Sequence, residues 1–161
     1  MDPMATEIEV TDAVAGLIRA LQPEYVIETG TASAQTTVAI GKALRRNGHG
    51  QLVSLEIDPK HVAHGRELCK GLPVEVRQQS SLEFEPARPI DFAWFDTDTA
   101  MRHSEFLRYR PFMHAKTVVG FHDTGPRHPT RGHLDKLEAD GLLKTIDLPS
   151  ARGFSLGQPL I

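Results

Sequence analysis

The sequence predicts an α/β domain with a mostly parallel sheet and a closing antiparallel hairpin. Three observations carry this. Strand-like and helix-like segments alternate along 161 residues with no repeat, low-complexity tract or linker, as when parallel strands are joined by helical crossovers. Ile90 to Phe95 is nearly all apolar, the mark of a central strand covered on both faces. The strand-like runs also end in acids or histidine, at the sheet end where such folds bind ligands.

Thr11 to Leu21 places Val14, Leu17, Ile18 and Leu21 on one helical face, and Pro23 ends it. Tyr25 to Thr29 is the first strand. Gln35 to Arg46 is a helix with Ile40, Ala43 and Leu44 on its apolar side, stopped by Asn47-Gly48. Gln51 to Ile57 is the second strand. Asp58 caps the next helix with Pro59 at its first position, and Gly71 terminates it after Lys70. Val74 to Gln78 is a short third strand and Ile90 to Phe95 the fourth. His103 to Tyr109 is helical up to Pro111. Thr117 to Phe121 is the fifth strand, and Gly132 to Asp140 a helix carrying Leu134 and Leu137. Leu143 to Leu148 and Gly153 to Leu156, split by Pro149-Ser150, form the hairpin.

Hydrophobic residues make up 40% and charged ones 24%, which fits a globular domain rather than a disordered chain. The formal net charge of −3, with acids and bases interspersed, gives no basic stripe for nucleic acid. No run is long enough to span a bilayer, and the start of the chain lacks the basic and apolar regions of a signal peptide. Cys69 is the only cysteine, which points to a reducing, cytoplasmic setting. Residues 1–10 read as a flexible lead-in and 11–161 as one domain.

The informative stretch is Tyr25-Val26-Ile27-Glu28-Thr29-Gly30-Thr31-Ala32-Ser33: a strand, an acid, a glycine turn, then a helix. A carboxylate at Glu28 repels phosphate but suits a cationic or hydroxyl-bearing ligand, so the turn reads as a site for S-adenosylmethionine (SAM). Glu56 lies 26 residues after Gly30, where an acid can take both ribose hydroxyls. That would also suit NAD. The turn, however, lacks the G-x-G-x-x-G pattern, and pyrophosphate disfavours an acid there. Asp96, Asp98, His122 and Asp123 form a second cluster. It could hold Mg²⁺ or Mn²⁺, supply a general base, or only cap loops. One such strand-end acid is an ordinary turn former; four in register make a site. His103, on a helix near this cluster, reads as solvated or satisfied. Arg108 and Arg110 read as surface charges, and Trp94 and Cys69 as core.

These motifs resemble class I SAM-dependent methyltransferases, and most nearly the small O-methyltransferase-like group called methyltransferase-24. The resemblance covers Leu21 to Gly157. Val26 to Ser33 resembles the first motif, Leu52 to Asp58 the second strand, Ile90 to Asp98 the fourth-strand motif, Val118 to Thr124 the fifth, and Arg152 to Gly157 the glycine-rich last strand. The resemblance implies a Rossmann-like, doubly wound, seven-stranded sheet in three α/β/α layers. It implies SAM contacts from Glu28, Gly30, Thr31, Ala32, Ser33, Glu56, Ile57, Ser80, Ser81 and Asp96. Metal-dependent relatives imply a divalent cation on Asp96, Asp123 and His122 or Thr124. Ser80 departs from the usual adenine-side Asp, and Thr99 stands where many members have His.

The expected activity is methyl transfer from SAM to a small-molecule hydroxyl, with His122 or Asp123 as catalytic groups. A second reading is a SAM-binding protein without transferase activity, in a regulatory or assembly role. With about 20 residues before the first strand, the acceptor side is either open or closed by a second subunit.

Overall fold

The computed structural model describes residues 6–161. In chain order the elements are α1 (Ile8–Leu21), β1 (Tyr25–Thr29), α2 (Gln35–Asn47), β2 (Gln51–Glu56), α3 (Pro59–Leu68), β3 (Val74–Gln78), β4 (Ile90–Phe95), α4 (Arg102–Tyr109), a 3₁₀ turn (Arg110–Phe112), β5 (Met113–His122), α5 (Thr130–Ala139), β6 (Leu143–Leu148) and β7 (Phe154–Pro159). The seven strands order as β3-β2-β1-β4-β5-β7-β6. The first five are parallel, and β7 runs antiparallel to both β5 and β6. No helix among the described residues is long and apolar enough to cross a membrane.

Alternation along the central strands builds two cores. Ile27, Ala93 and Phe95 face the side that Phe106, Leu134 and Leu137 cover. Val26, Phe92 and Trp94 face the side where Val14, Ile18, Ile40 and Leu44 pack. The sheet is therefore sandwiched between helices. Gly120 of β5 is required beside Trp94: a Cβ there would lie 2.5 Å from the indole Cε3.

The register positions the site. Thr29 pairs with Leu55 and with Phe95, and Phe95 pairs with Phe121. The next residues, Gly30, Glu56, Asp96 and His122, therefore emerge at one level. Strand order reverses between β1 and β4, so that level lies at the topological switch point, where open α/β sheets bind ligands.

Several element boundaries differ from expectation by one to four residues; α5, for example, begins at Thr130 rather than Gly132, and β7 runs to Pro159 rather than Leu156. The strand β5 begins at Met113 rather than Thr117, because Met113 pairs with Ile90 before a register shift and the Thr117 hydroxyl donates to the Ile90 carbonyl at 2.6 Å. The helix α4 begins at Arg102. The lead-in expected over 1–10 is corrected from residue 6 onward: α1 starts at Ile8, Val10 is fully buried, and Thr6 and Glu7 bond into the site. Residues 1–5 lie outside the described residues.

Candidate active site

A cavity of about 490 Å³ opens at the carboxyl ends of β1, β2, β4 and β5. The turn after β1 forms one wall. Gly30 has φ +88°, and a Cβ there would lie 2.5 Å from the Asp96 carbonyl oxygen, so the turn closes tightly on the end of β4. Ala32 (φ 43°) and Ala34 (φ 62°) also adopt the left-handed region. The backbone shape of a glycine-rich turn is thus kept where two glycines are missing. Gly30, Thr31, Ala32 and Ser33 all line the cavity, as do Glu56, Ile57, Ser80, Ser81 and Asp96.

Glu56 joins the first two turns. Its carboxylate accepts from the Ala32 N–H at 2.9 Å, and from the Ile57 and Asp58 N–H groups at 2.8 and 3.0 Å. The apolar side chain of Ile57, 70% exposed, stands at the cavity edge. Ser81 turns its hydroxyl away from the cavity to donate to Glu105.

Glu28 corrects the expectation of a carboxylate facing ligand. It is buried beneath the turn, where Thr37 and Ser54 hydroxyls donate to its Oε2 at 2.6 Å each. Burial pushes its pKa up to about 8 despite these bonds. A neutral acid that braces β1 against α2 and β2 offers no attraction to an ammonium group.

Opposite lies a chain of alternating charge. Glu7 Oε2 is 2.6 Å from His122 Nε2. His122 Nδ1 is 3.0 Å from Asp96 Oδ1. Arg102 Nη2 is 3.2 Å from that same oxygen and 3.1 Å from Asp123 Oδ2. Arg152 Nε is 2.6 Å from Asp123 Oδ1. Thr6 also donates to Asp96 Oδ2 at 2.8 Å, and the Arg152 N–H donates to Glu7 Oε1 at 2.8 Å.

This geometry moves two pKa values in opposite directions. Burial disfavours charge on His122, but the Asp96 bond and the Asp96, Asp123 and Glu7 carboxylates outweigh it and raise its pKa. Burial likewise opposes ionisation of Asp123, yet His122, Arg102 and Arg152 hold its carboxyl below the usual range. His122 is 1% exposed with both ring nitrogens engaged. Both nitrogens of His122, expected as a general base, are thus engaged by the Asp96 and Glu7 carboxylates, and a base at this position would first have to give up one of those bonds.

The three expected cation ligands, Asp96, His122 and Asp123, do come together. Donor atoms of Asp96, His122 and Asp123 lie within 4.8 Å of one another. Yet the Arg102 guanidinium stands between the two carboxylates, and His122 lacks the free nitrogen that a metal requires. These residues do not fit Mg²⁺ or Mn²⁺ as they are arranged.

Asp98 and Thr99 line the cavity, with Asp98 accepting from the Ala100 N–H at 2.9 Å. His103 packs beside His133, ring centroids 6.0 Å apart, off the cavity. Arg108 is no loose surface charge: it donates twice to the Phe84 carbonyl. Sequence reasoning missed Arg102, Glu105, Thr6 and Glu7. The available signal was Arg102 itself, a lone base just after the Asp96-Thr97-Asp98 acids.

Fold and cavity together define an α/β domain with a ligand-sized cavity at the switch point of its sheet. The methyltransferase domain family matches residues 27–124. The chain belongs to this family, and it is a class I SAM-dependent methyltransferase. No curated protein matches it by sequence. Solved structures similar to it in fold include the O-methyltransferase from Bacillus cereus in complex with SAH, at 18% identity, TM-score 0.82, covering 98% of this chain and 84% of that one. Another is the O-methyltransferase TomG from Streptomyces achromogenes, in complex with SAM, at 18% identity, TM-score 0.80, covering 99% and 83%. The SAH-bound methyltransferase PaMTH1 from Podospora anserina aligns at 16% identity, TM-score 0.81, covering 98% and 81%.

Proposed function

We propose that this chain methylates an oxygen of a small-molecule acceptor, and that Asp123 receives the proton released. The carrying observation is the two-sided cavity: a cofactor wall from Gly30 to Glu56 faces a charged wall at Asp96, Arg102 and Asp123. SAM laid along the first wall puts ribose hydroxyls at Glu56, adenine against Ile57 and Ser80, and the methionine end at Gly30 and Asp96. Its methyl group would then be available to an acceptor held at the charged wall.

The reaction is an in-line displacement. The acceptor oxygen forms a bond to the methyl carbon, the carbon–sulfur bond breaks onto sulfur, and the hydroxyl loses its proton. The protein mainly aligns the two reactants. As the O–C bond forms, the hydroxyl proton becomes strongly acidic, so even a carboxylate held below its usual range can accept it. That step needs no base at His122. The buried, reduced Cys69 suits a cytoplasmic protein.

The test uses calorimetry and a radiolabelled-methyl assay over a panel of small phenols, enols and carboxylic acids. Asp123→Ala should lose at least 100-fold in turnover while SAM affinity stays within a few-fold, and Glu56→Ala should lose SAM binding itself. Undiminished transfer by Asp123→Ala overturns the proton role. Label recovered on nitrogen rather than oxygen overturns the acceptor class. Wild-type binding of SAM without transfer to any acceptor would favour the regulatory alternative.

A further inference from the structure

We propose that Arg102 is the resident cation of this site, filling the place a divalent ion would take between Asp96 and Asp123, so that the chain works without metal. The binding half of this statement stands on geometry alone; the working half rests on the methyltransferase reading above.

The guanidinium is built in. The Arg102 residue is 1% exposed. Its Nη2 reaches Asp96 and Asp123 at 3.2 and 3.1 Å and donates to the Thr97 carbonyl at 2.7 Å. The Nε group also donates to Thr97 O, and Nη1 donates to the His122 carbonyl. Carbonyls on two sides pin the fork, so it cannot swing out to admit an ion without breaking several buried bonds.

Helix formation does not explain this placement. Arg102 is the first residue of α4, where the helix dipole disfavours a cation. Burying a charge is costly without partners. The two carboxylates and two carbonyls are what offset both costs. A hard divalent ion would need carboxylate oxygens at about 2.0–2.6 Å, in space already shared with a fixed positive charge. Its third donor is absent too, since Asp96 and Glu7 occupy both nitrogens of His122. Arg102 is thus a positioning residue: it sets the two carboxylates at the cavity wall and neutralises them with a charge that cannot dissociate.

The probe is Mn²⁺, followed by electron paramagnetic resonance on the full chain, with SAM calorimetry in parallel. Wild type should leave the free Mn²⁺ signal undiminished up to millimolar ion, and its SAM affinity should be equal in EDTA and in Mn²⁺. Arg102→Met should bind Mn²⁺ at least tenfold more tightly than wild type, whereas Arg102→Lys, which keeps the charge, should resemble wild type. Uptake of one Mn²⁺ per wild-type chain at micromolar concentration overturns the proposal. So does a folded Arg102→Met that binds Mn²⁺ no better than wild type. Should Arg102→Met fail to fold by circular dichroism, the wild-type titration decides. Absence of SAM binding would instead sink the methyltransferase reading and leave the Mn²⁺ result standing.

Discussion

Glu28 shows how one residue can keep its place in a motif while changing its part. Its carboxyl is fully enclosed, and burial raises its pKa to about 8. From the ordinary glutamate range up to about 8, the unfolded chain has lost a proton that the folded chain keeps. Stability attributable to this group therefore falls as pH rises, by about 1.4 kcal/mol per pH unit, and levels off above 8. Glu28→Gln removes that slope. Its melting temperature, measured against wild type, should gain steadily from pH 5 towards pH 8 and then level off; an offset that stays constant across that window would mean Glu28 is ionised in the fold. The sequence made Glu28 visible as an acid before a glycine. It could not show that Thr37 and Ser54, 9 and 26 positions away, take up that acid from below.

At the scale of elements, legibility followed hydrophobic periodicity. The strands β1 and β4 were readable to the residue because β1 opens on three enclosed apolar residues and β4 is apolar at every position but Asp91. The first half of β5 was hidden because His114, Ala115 and Lys116 carry no alternation, and only pairing with Ile90 makes that segment a strand. Gly120 reads as a weak point within that strand, yet it exists for Trp94. Gly120→Ala puts a methyl carbon 2.5 Å from the indole ring, an overpacking that should cost about 1–3 kcal/mol. Chemical denaturation followed by Trp94 fluorescence should show a lower midpoint and an altered native spectrum. A midpoint equal to wild type would mean that β5 shifts freely against β4, contrary to the tight pairing of both strands.

At the scale of the molecule, the mostly parallel sheet and the shared level of the four strand ends were legible from alternation and from acids at the carboxyl ends, while the doubly wound seven-stranded arrangement followed from the family resemblance. The charged wall was legible only in part: Asp96, His122 and Asp123 stood out, but Glu7, Arg102 and Arg152 did not, because they join that cluster from separate parts of the chain. The proposed cofactor wall draws on β1, β2 and the loop after β3, so ligand binding there would couple to the folding of the whole sheet. A ligand at 100 times its dissociation constant adds about 2.7 kcal/mol to stability. For a domain of this size that is about 5–10 °C in melting temperature. Thermal unfolding with and without SAM should show that shift as one cooperative transition; a second, unshifted transition would mean the sheet is not a single unit.

The alternating row of Glu7, His122, Asp96, Arg102, Asp123 and Arg152 also bears on how this chain can change over time. Replacing any inner member strands an opposite charge beside it in a buried place, where isolated charge is penalised heavily. Single substitutions along the row are therefore closed routes, and the passable ones alter neighbours together.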